Sequence, residues 1–291
     1  MIIELAYKTN KFIRMKKITL IFLLVLSTSL TFGQKKERIK GSKIVTLSIK
    51  KLENFQNIDI EDNLEIYLVK ADSASLEIEA DDNLHDVINY TVLGNTLRIN
   101  SLKDVYGEKK FSIRINYTDN LKLITAKHDT KLHALADIEL ENITIKNYDN
   151  SRSFLNVKSK LFAIMLNDKS EAELNIKADN TTIEVSKDAE VKALIASPIV
   201  KIDLYQKGKA IIEGDAASAK VRLDNSSDLI AKNFTISNLE ITTESYSKAI
   251  VNVAKNIKIS AAGKSEIELL GEPKIEIIKF TNNTTLYKKE K

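Results

Sequence analysis

His128, Asp129 and His133 lie close together in this 291-residue chain, and His85 is its only other histidine. Two imidazoles and a carboxylate can hold a divalent metal if they converge. Along a strand, however, positions 128 and 133 differ by an odd number and project to opposite faces. Only a turn between them would bring both to one ion, so they are read as surface side chains. The acidic clusters Asp59-Ile60-Glu61-Asp62-Asn63, Asp81-Asp82 and Asp224-Asn225-Ser226-Ser227-Asp228 offer hard oxygens suited to calcium. None completes an Asp-x-Asp-x-Asp-Gly loop. Turn chemistry accounts for Asp, Asn and Ser at such places without a metal.

Nucleophilic and redox chemistry is poorly supplied. Cysteine and tryptophan are both absent. That excludes disulfides, thiolate nucleophiles, iron–sulfur clusters, cysteine zinc sites and a lipidated N-terminal cysteine. No Gly-x-Ser-x-Gly elbow and no glycine-rich phosphate loop occurs. No catalytic residue, no cofactor-binding residue and no metal ligand is assigned, and no cofactor is expected.

Those side chains must be positioned by strands. Beyond residue 40 apolar residues alternate with polar ones almost throughout, as in Leu64-Glu65-Ile66-Tyr67-Leu68, Leu76-Glu77-Ile78-Glu79-Ala80 and Phe111-Ser112-Ile113-Arg114-Ile115. The best helical candidate is the short stretch Asp82–Ile88. With only two prolines and eight glycines, turns fall to Asn, Asp, Ser and Lys.

From about residue 121 the strands fall into a repeat. Apolar pairs recur at Ile143/Ile145, Ile164/Leu166, Ile183/Val185, Ile202/Leu204, Val221/Leu223, Leu239/Ile241, Ile257/Ile259 and Ile275/Ile277. A second set follows about ten residues after each pair, including Leu174/Ile176, Ala193/Ile195, Leu229/Ala231 and Ile267/Leu269, with a polar turn between. A step near 19 residues with two short strands per unit is the signature of a β-solenoid, in which each coil buries its apolar face only by stacking on its neighbours. An antiparallel sandwich shares the ten-residue strand spacing but not the regular step. Recurrent Ser170, Ser227, Ser247 and Ser265 then stack at turns and bond to neighbouring backbone, a structural role. The tyrosines mark no single patch.

The fold expected is all-β: a parallel β-helix or β-solenoid of two short strands per coil, preceded by strand-rich N-terminal coils. Residues 34–50 are a lead-in, and residues 51–291 form one solenoid domain, irregular over 51–120 and regular over 121–291. Short turns leave no deep cleft. Nothing groups Asp, Arg and Lys at matching coil positions, and arginines after the signal are few (Arg38, Arg98, Arg114, Arg152 and Arg222), so polysaccharide cleavage on this scaffold is disfavoured.

The N-terminus carries an address. Lys16 and Lys17 precede an apolar run, Ile18–Leu26, and a small-residue exit through Phe32-Gly33. This is the pattern of a secretory signal over residues 1–33, with Met15 the alternative start. The run is shorter than a membrane span of about 20 residues. Its removal takes away Lys8, Lys11, Arg14, Lys16, Lys17 and Glu4, so 44 basic residues less five balance 40 acidic residues less one. The net charge falls from +4 to zero, which leaves nucleic-acid binding without electrostatic support. An exported protein of the periplasm, outer surface or medium is expected, with no membrane span once the signal is gone.

Asn57-Ile58-Asp59-Ile60, Leu64–Leu68, Leu76-Glu77-Ile78-Glu79-Ala80-Asp81-Asp82-Asn83-Leu84, Gly94-Asn95-Thr96-Leu97-Arg98-Ile99 and Ile113–Leu121 occur in an order and spacing that resembles the GIN-domain head family of auto-transporter adhesins, exported proteins of Bacteroidetes-type bacteria. The resemblance covers about residues 55–233. It implies a right-handed β-helix and a non-enzymatic binding module for an extended glycan or protein partner; the alternative is a polysaccharide-binding or polysaccharide-active protein on the same scaffold. The sequence departs from the family at Ala126-Lys127-His128-Asp129-Thr130-Lys131, where a small Ser-Gly-type turn is usual. The family offers no catalytic residues to carry over.

Overall fold

A computed structural model describes residues 36–290; the expected signal segment, residues 1–33, lies outside them. Arg38–Lys291 is one compact unit, almost entirely of strands. Among the described residues the only helix is the 3-10 turn Asp82–Val87, within the stretch expected to be helical, and it buries Leu84 and Val87.

The regular part is a parallel stack of coils. Arg152–Leu166 pairs in parallel with Glu171–Ser186 and Lys209–Leu223 with Asp228–Thr243. Along one column Ile145 faces Ile164, then Ile183, Ile202 and Val221. Ile183, Ile202 and Leu204 are fully buried, as the inward alternation requires. The stack comprises about nine turns of about 19 residues.

Two registers differ from the sequence pairing by two residues. Ile143 faces Phe162, not Ile164, and Val221 faces Ile241, not Leu239. A slip of two keeps every side chain on its face, so alternation alone does not detect it. The true steps at these two places are 19 and 20 residues, the longer one following a bulge after Ile211, and the next two steps of the column are 18.

Each coil has two arms that meet at a corner. In Arg152–Leu166 the buried positions are Ser153, Leu155 and Val157, then Phe162, Ile164 and Leu166. The parity flips at Ser159-Lys160, which turns the chain while keeping apolar residues inside. The extended backbone continues through this corner in several coils, so the two arms read as one strand of 14–16 residues. Between Glu190–Ala196 and Ile199–Tyr205 it breaks at Ser197-Pro198, where proline has no N–H to donate.

At the opposite corner the turns stack. His128, Asp149, Asp168, Lys187, Gln206, Asn225 and Ser245 all adopt positive φ between 52° and 64°. Asn, Asp and His enter this region more readily than most residues, and the fold turns repeatedly through it with few glycines. Buried serines close several of these turns: Ser151 Oγ donates to the Ala126 carbonyl (3.1 Å), Ser170 Oγ to Asn147 (3.2 Å) and Ser227 Oγ to Leu204 (3.1 Å), while Ala189 and Gly208 take the same place in two others. Ser170, Ser227 and Ser247 take the role expected from the repeat, whereas Ser265 bonds to the Thr243 and Thr284 hydroxyls.

Residues 75–117 break the regularity. Asn57–Ile60 lies between Thr96–Ser101 and Leu123–Ala126, and Glu65–Lys70 lies between Phe111–Tyr117 and Lys131–Ala134. The chain therefore builds outward through antiparallel pairs before reversing to add the regular coils. Asp81 locks this region. Its fully buried carboxylate accepts from the N–H groups of Lys43 (2.8 Å), Lys109 (3.1 Å) and Lys110 (3.0 Å). Burial acts to raise its pKa, but these donors outweigh that and hold the carboxyl below its ordinary value.

Candidate binding face

The solenoid turns one row of side chains per coil toward solvent on each arm, so outward positions stack as the inward ones do. On the arm containing Glu65–Lys70 one outward column runs Tyr67, His133, Phe154, Glu173 and Lys192. It continues through Ile211, Ile230, Ile250 and Glu268. Beside it, two residues earlier in each strand, runs a charged column of alternating patches: Arg152, Glu171, Glu190, Lys209, Asp228, Lys248 and Glu266.

Two places on this face have distinct chemistry. Near one end the His133 imidazole is sandwiched between Tyr67 and Phe154, with ring centroids 5.1 Å away on both sides and interplanar angles of 20° and 10°. Burial pushes the His133 pKa down; Glu65 opposes this and Lys131 adds to it. A neutral ring is the form that stacks with least desolvation cost. Burial, followed by the hydrogen bond to Glu65, raises the Tyr67 phenol. Because the rings cover one another's faces, they offer edges rather than open faces to a ligand.

Further along, Ile211, Ile230 and Ile250 floor a shallow groove of about 410 Å³ rimmed by Lys209, Asp228 and Lys248. Ile230 stays 38% exposed despite its place in a paired strand. Three successive aliphatic side chains beside a charged row can meet an extended apolar segment and pair its flanking charges. Glu190, Glu266 and Glu268 complete its charged lining.

The residues singled out in the sequence are dispersed. His128 occupies a turn, where its Nδ1 accepts from the Asp62 N–H (3.3 Å), while His133 lies in the strand stack. Asp129 accepts from the Asn150 amide (3.3 Å), and His85 Nε2 is 2.8 Å from the Thr46 hydroxyl. The departing segment Ala126–Lys131 forms a turn of the common type, with Thr130 Oγ1 donating to the Asp62 carbonyl (2.9 Å). Among the described residues no three His, Asp or Glu side chains converge as a metal site would require.

The acidic clusters find internal partners. Asp59 and Glu61 clamp the Lys127 ammonium at 3.0 and 2.7 Å. Burial works against that charge, but the two carboxylates outweigh it and raise the Lys127 pKa. Asp224 Oδ1 accepts from the Asn225 N–H and the Ser245 hydroxyl. Tyr205, buried against the Glu184 carboxylate, is pushed up to about 12. Sequence inspection missed both the ring stack and the isoleucine floor. The floor was accessible by applying the coil step to outward positions, since Ile211, Ile230 and Ile250 follow it. Tyr67 and His133 are separated by the excursion through residues 75–117, and no repeat links them.

A parallel β-solenoid with short turns and flat repeated outer rows is a class of scaffold suited to extended partners. The chain belongs to the family described as "Putative auto-transporter adhesin, head GIN domain", which matches residues 54–273. A solved structure described as a "putative adhesin" from Parabacteroides distasonis is 18% identical with a TM-score of 0.62, and covers 86% of this chain and 100% of its own. Another so described, from Parabacteroides merdae, is 17% identical with a TM-score of 0.58, covering 87% and 99%. A "putative lipid binding protein" from P. distasonis, 17% identical with a TM-score of 0.57 and coverages of 86% and 99%, shares the fold. No curated protein matches the chain.

Proposed function

We propose that this chain is a non-enzymatic, adhesin-like binding module exported to the bacterial cell envelope, with residues 1–33 removed as its signal and residues 51–291 acting as one domain. Membership of an adhesin family supports binding to an external partner. Among the described residues no helix is long and apolar enough to cross a membrane. The observation that carries the reading is the isoleucine-floored groove with its charged borders, an apolar strip continued by charge along one face. Such a surface favours an extended protein segment over a glycan, because the available rings are stacked on one another instead of open for sugar contact.

The test is a solid-phase adhesion assay of the purified protein on host extracellular proteins, run beside a glycan array and a glycan-hydrolysis assay. Ile230→Glu should weaken protein adhesion by about tenfold or more if the groove is the anchor. Glycan binding insensitive to Ile230→Glu, or any hydrolysis that one carboxylate abolishes, would favour the polysaccharide reading instead. Sequencing of the mature protein should begin near Gln34; an intact Met15 would remove the export step.

A further inference from the structure

The last coil leaves its inward row uncovered. In the preceding coil Ile257, Ile259 and Ala261 are fully buried, whereas the residues stacked on them, Ile275, Ile277 and Phe280, are 43%, 53% and 40% exposed. Every residue of the strand Lys274–Phe280 is exposed, and among the described residues it pairs only with Lys248–Ala261. Its other edge presents free backbone donors and acceptors beside an apolar row, the arrangement that invites another strand.

The order of residues along this strand identifies the partner. Ile259 faces Ile277 and Ser260 faces Lys279, so Ile278 is an extra residue at a bulge and is 61% exposed. Counting outward from the Ile277-Ile278 pair, the next residues are Glu276 and Lys279, and beyond them Ile275 and Phe280. An antiparallel copy of the same strand, related by a two-fold axis between residues 277 and 278, therefore sets Glu276 opposite Lys279 on the outer face, twice. The same operation sets Ile275 opposite Phe280 on the inner face, twice, with the four central isoleucines on the axis. Charge meets opposite charge and apolar meets apolar despite the bulge, because both strands carry it at the same place.

We propose that this edge is an isologous interface through which two copies of the chain join their C-terminal coils, continuing the sheet and the apolar column across a two-fold axis. The self-complementary charge order favours a second copy over a strand of unrelated sequence, which would match it only by chance. The inference concerns assembly and does not rest on the identity of the adhesion partner.

Sedimentation equilibrium of the purified chain over a concentration series should show a monomer–dimer equilibrium. Ile277→Lys, at a position already half exposed, should weaken dimerisation by about tenfold or more while leaving the circular dichroism spectrum and melting unchanged. Lys279→Glu alone should also weaken it, and adding Glu276→Lys should restore it. Glu276 also lies 3.6 Å from Lys258 in its own chain, so the rescue is read from the doubly swapped protein and not from Glu276→Lys alone.

Because the chain contains no cysteine, cross-linking can fix the register. A mixture of Glu276→Cys and Lys279→Cys proteins should oxidise to the mixed disulfide in excess over either homodimer. Like residues would lie about 10 Å out of register, beyond disulfide reach. A strictly monomeric protein, a dimer indifferent to Ile277→Lys, or cross-links between like cysteines would each overturn the proposal.

Discussion

Residues 75–117 close one end of the stack with antiparallel strands, the 3-10 turn Asp82–Val87 and a buried carboxylate, whereas the coils after residue 138 repeat a single parallel pattern up to a strand that is exposed throughout. The two regions solve the same problem by different means. In the regular coils each layer provides the template for the next, so turn, corner and inward row satisfy one another by stacking. At the other end the outermost described strands, Val45–Lys51 and Ile88–Leu93, each pair on one edge, and some turn donors are satisfied by a side chain instead of a neighbouring coil. Asp81 does this for Lys43, Lys109 and Lys110. The contrast teaches that the coils are held by a distributed apolar column, while the closed end depends on a few specific contacts.

The largest effect should come from the column. Ile202→Asp places an unpaired charge between Ile183 and Val221 and should cost about 3–5 kcal/mol, with loss of the cooperative thermal transition. A melting temperature close to that of the unmodified protein would break the claim that the column carries the coils. At the closed end, Gly41→Ala should cost about 1–3 kcal/mol, because the added Cβ would meet Asp81 Oδ2 at 2.3 Å and the Glu108 backbone at 2.6 Å. The loss should be local. Amide exchange should accelerate in Arg38–Lys40 and Asp104–Tyr106, which pair with each other, and stay unchanged in Glu171–Ser186.

Acid should separate the two regions further. The Asp81 carboxyl titrates lower in the folded than in the unfolded protein, so its stabilisation is complete above the ordinary value of about 4 and is lost as pH falls through the lower folded value. Asp81→Asn should remove this dependence. The melting difference between the two proteins should therefore be largest near neutrality and shrink below about pH 4. A constant difference across that range would show that Asp81 is not the acid-sensitive lock. Glu141 and Asp168, held down by Lys160 and Lys187, lie on exposed rows where solvent screens the pairs. The smallest effect belongs to a turn: Lys207→Ala should change stability by about 0.5 kcal/mol or less, since its contact with Asp188 is 3.9 Å and exposed.

Much of the regular region was legible in the sequence because two periods coincide there. Alternation tells which side chains turn inward, and the coil step tells which strands stack. Both held at Ile183, Ile202 and Val221. They failed to distinguish registers two residues apart at Ile143 and Val221, because a side-chain period of two is blind to a slip of two. The binding face was harder to read. Outward positions are not constrained to be apolar, so Ile211, Ile230 and Ile250 stand out only once their strands are aligned. Nothing periodic connects Tyr67 with His133 and Phe154, since the intervening chain departs to build the closed end.

The sequence by itself determined the all-β class, the coil length, the inward row and the structural role of the turn serines, since each follows from short-range spacing repeated many times. It also carried the family resemblance in its N-terminal half. The tertiary structure alone decided that Glu65–Lys70 stacks between Phe111–Tyr117 and Lys131–Ala134, that Asp81 gathers three backbone donors, and that the imidazole of His133 is held between two rings. These are single contacts between residues distant in the chain, and a contact made once leaves no period to read.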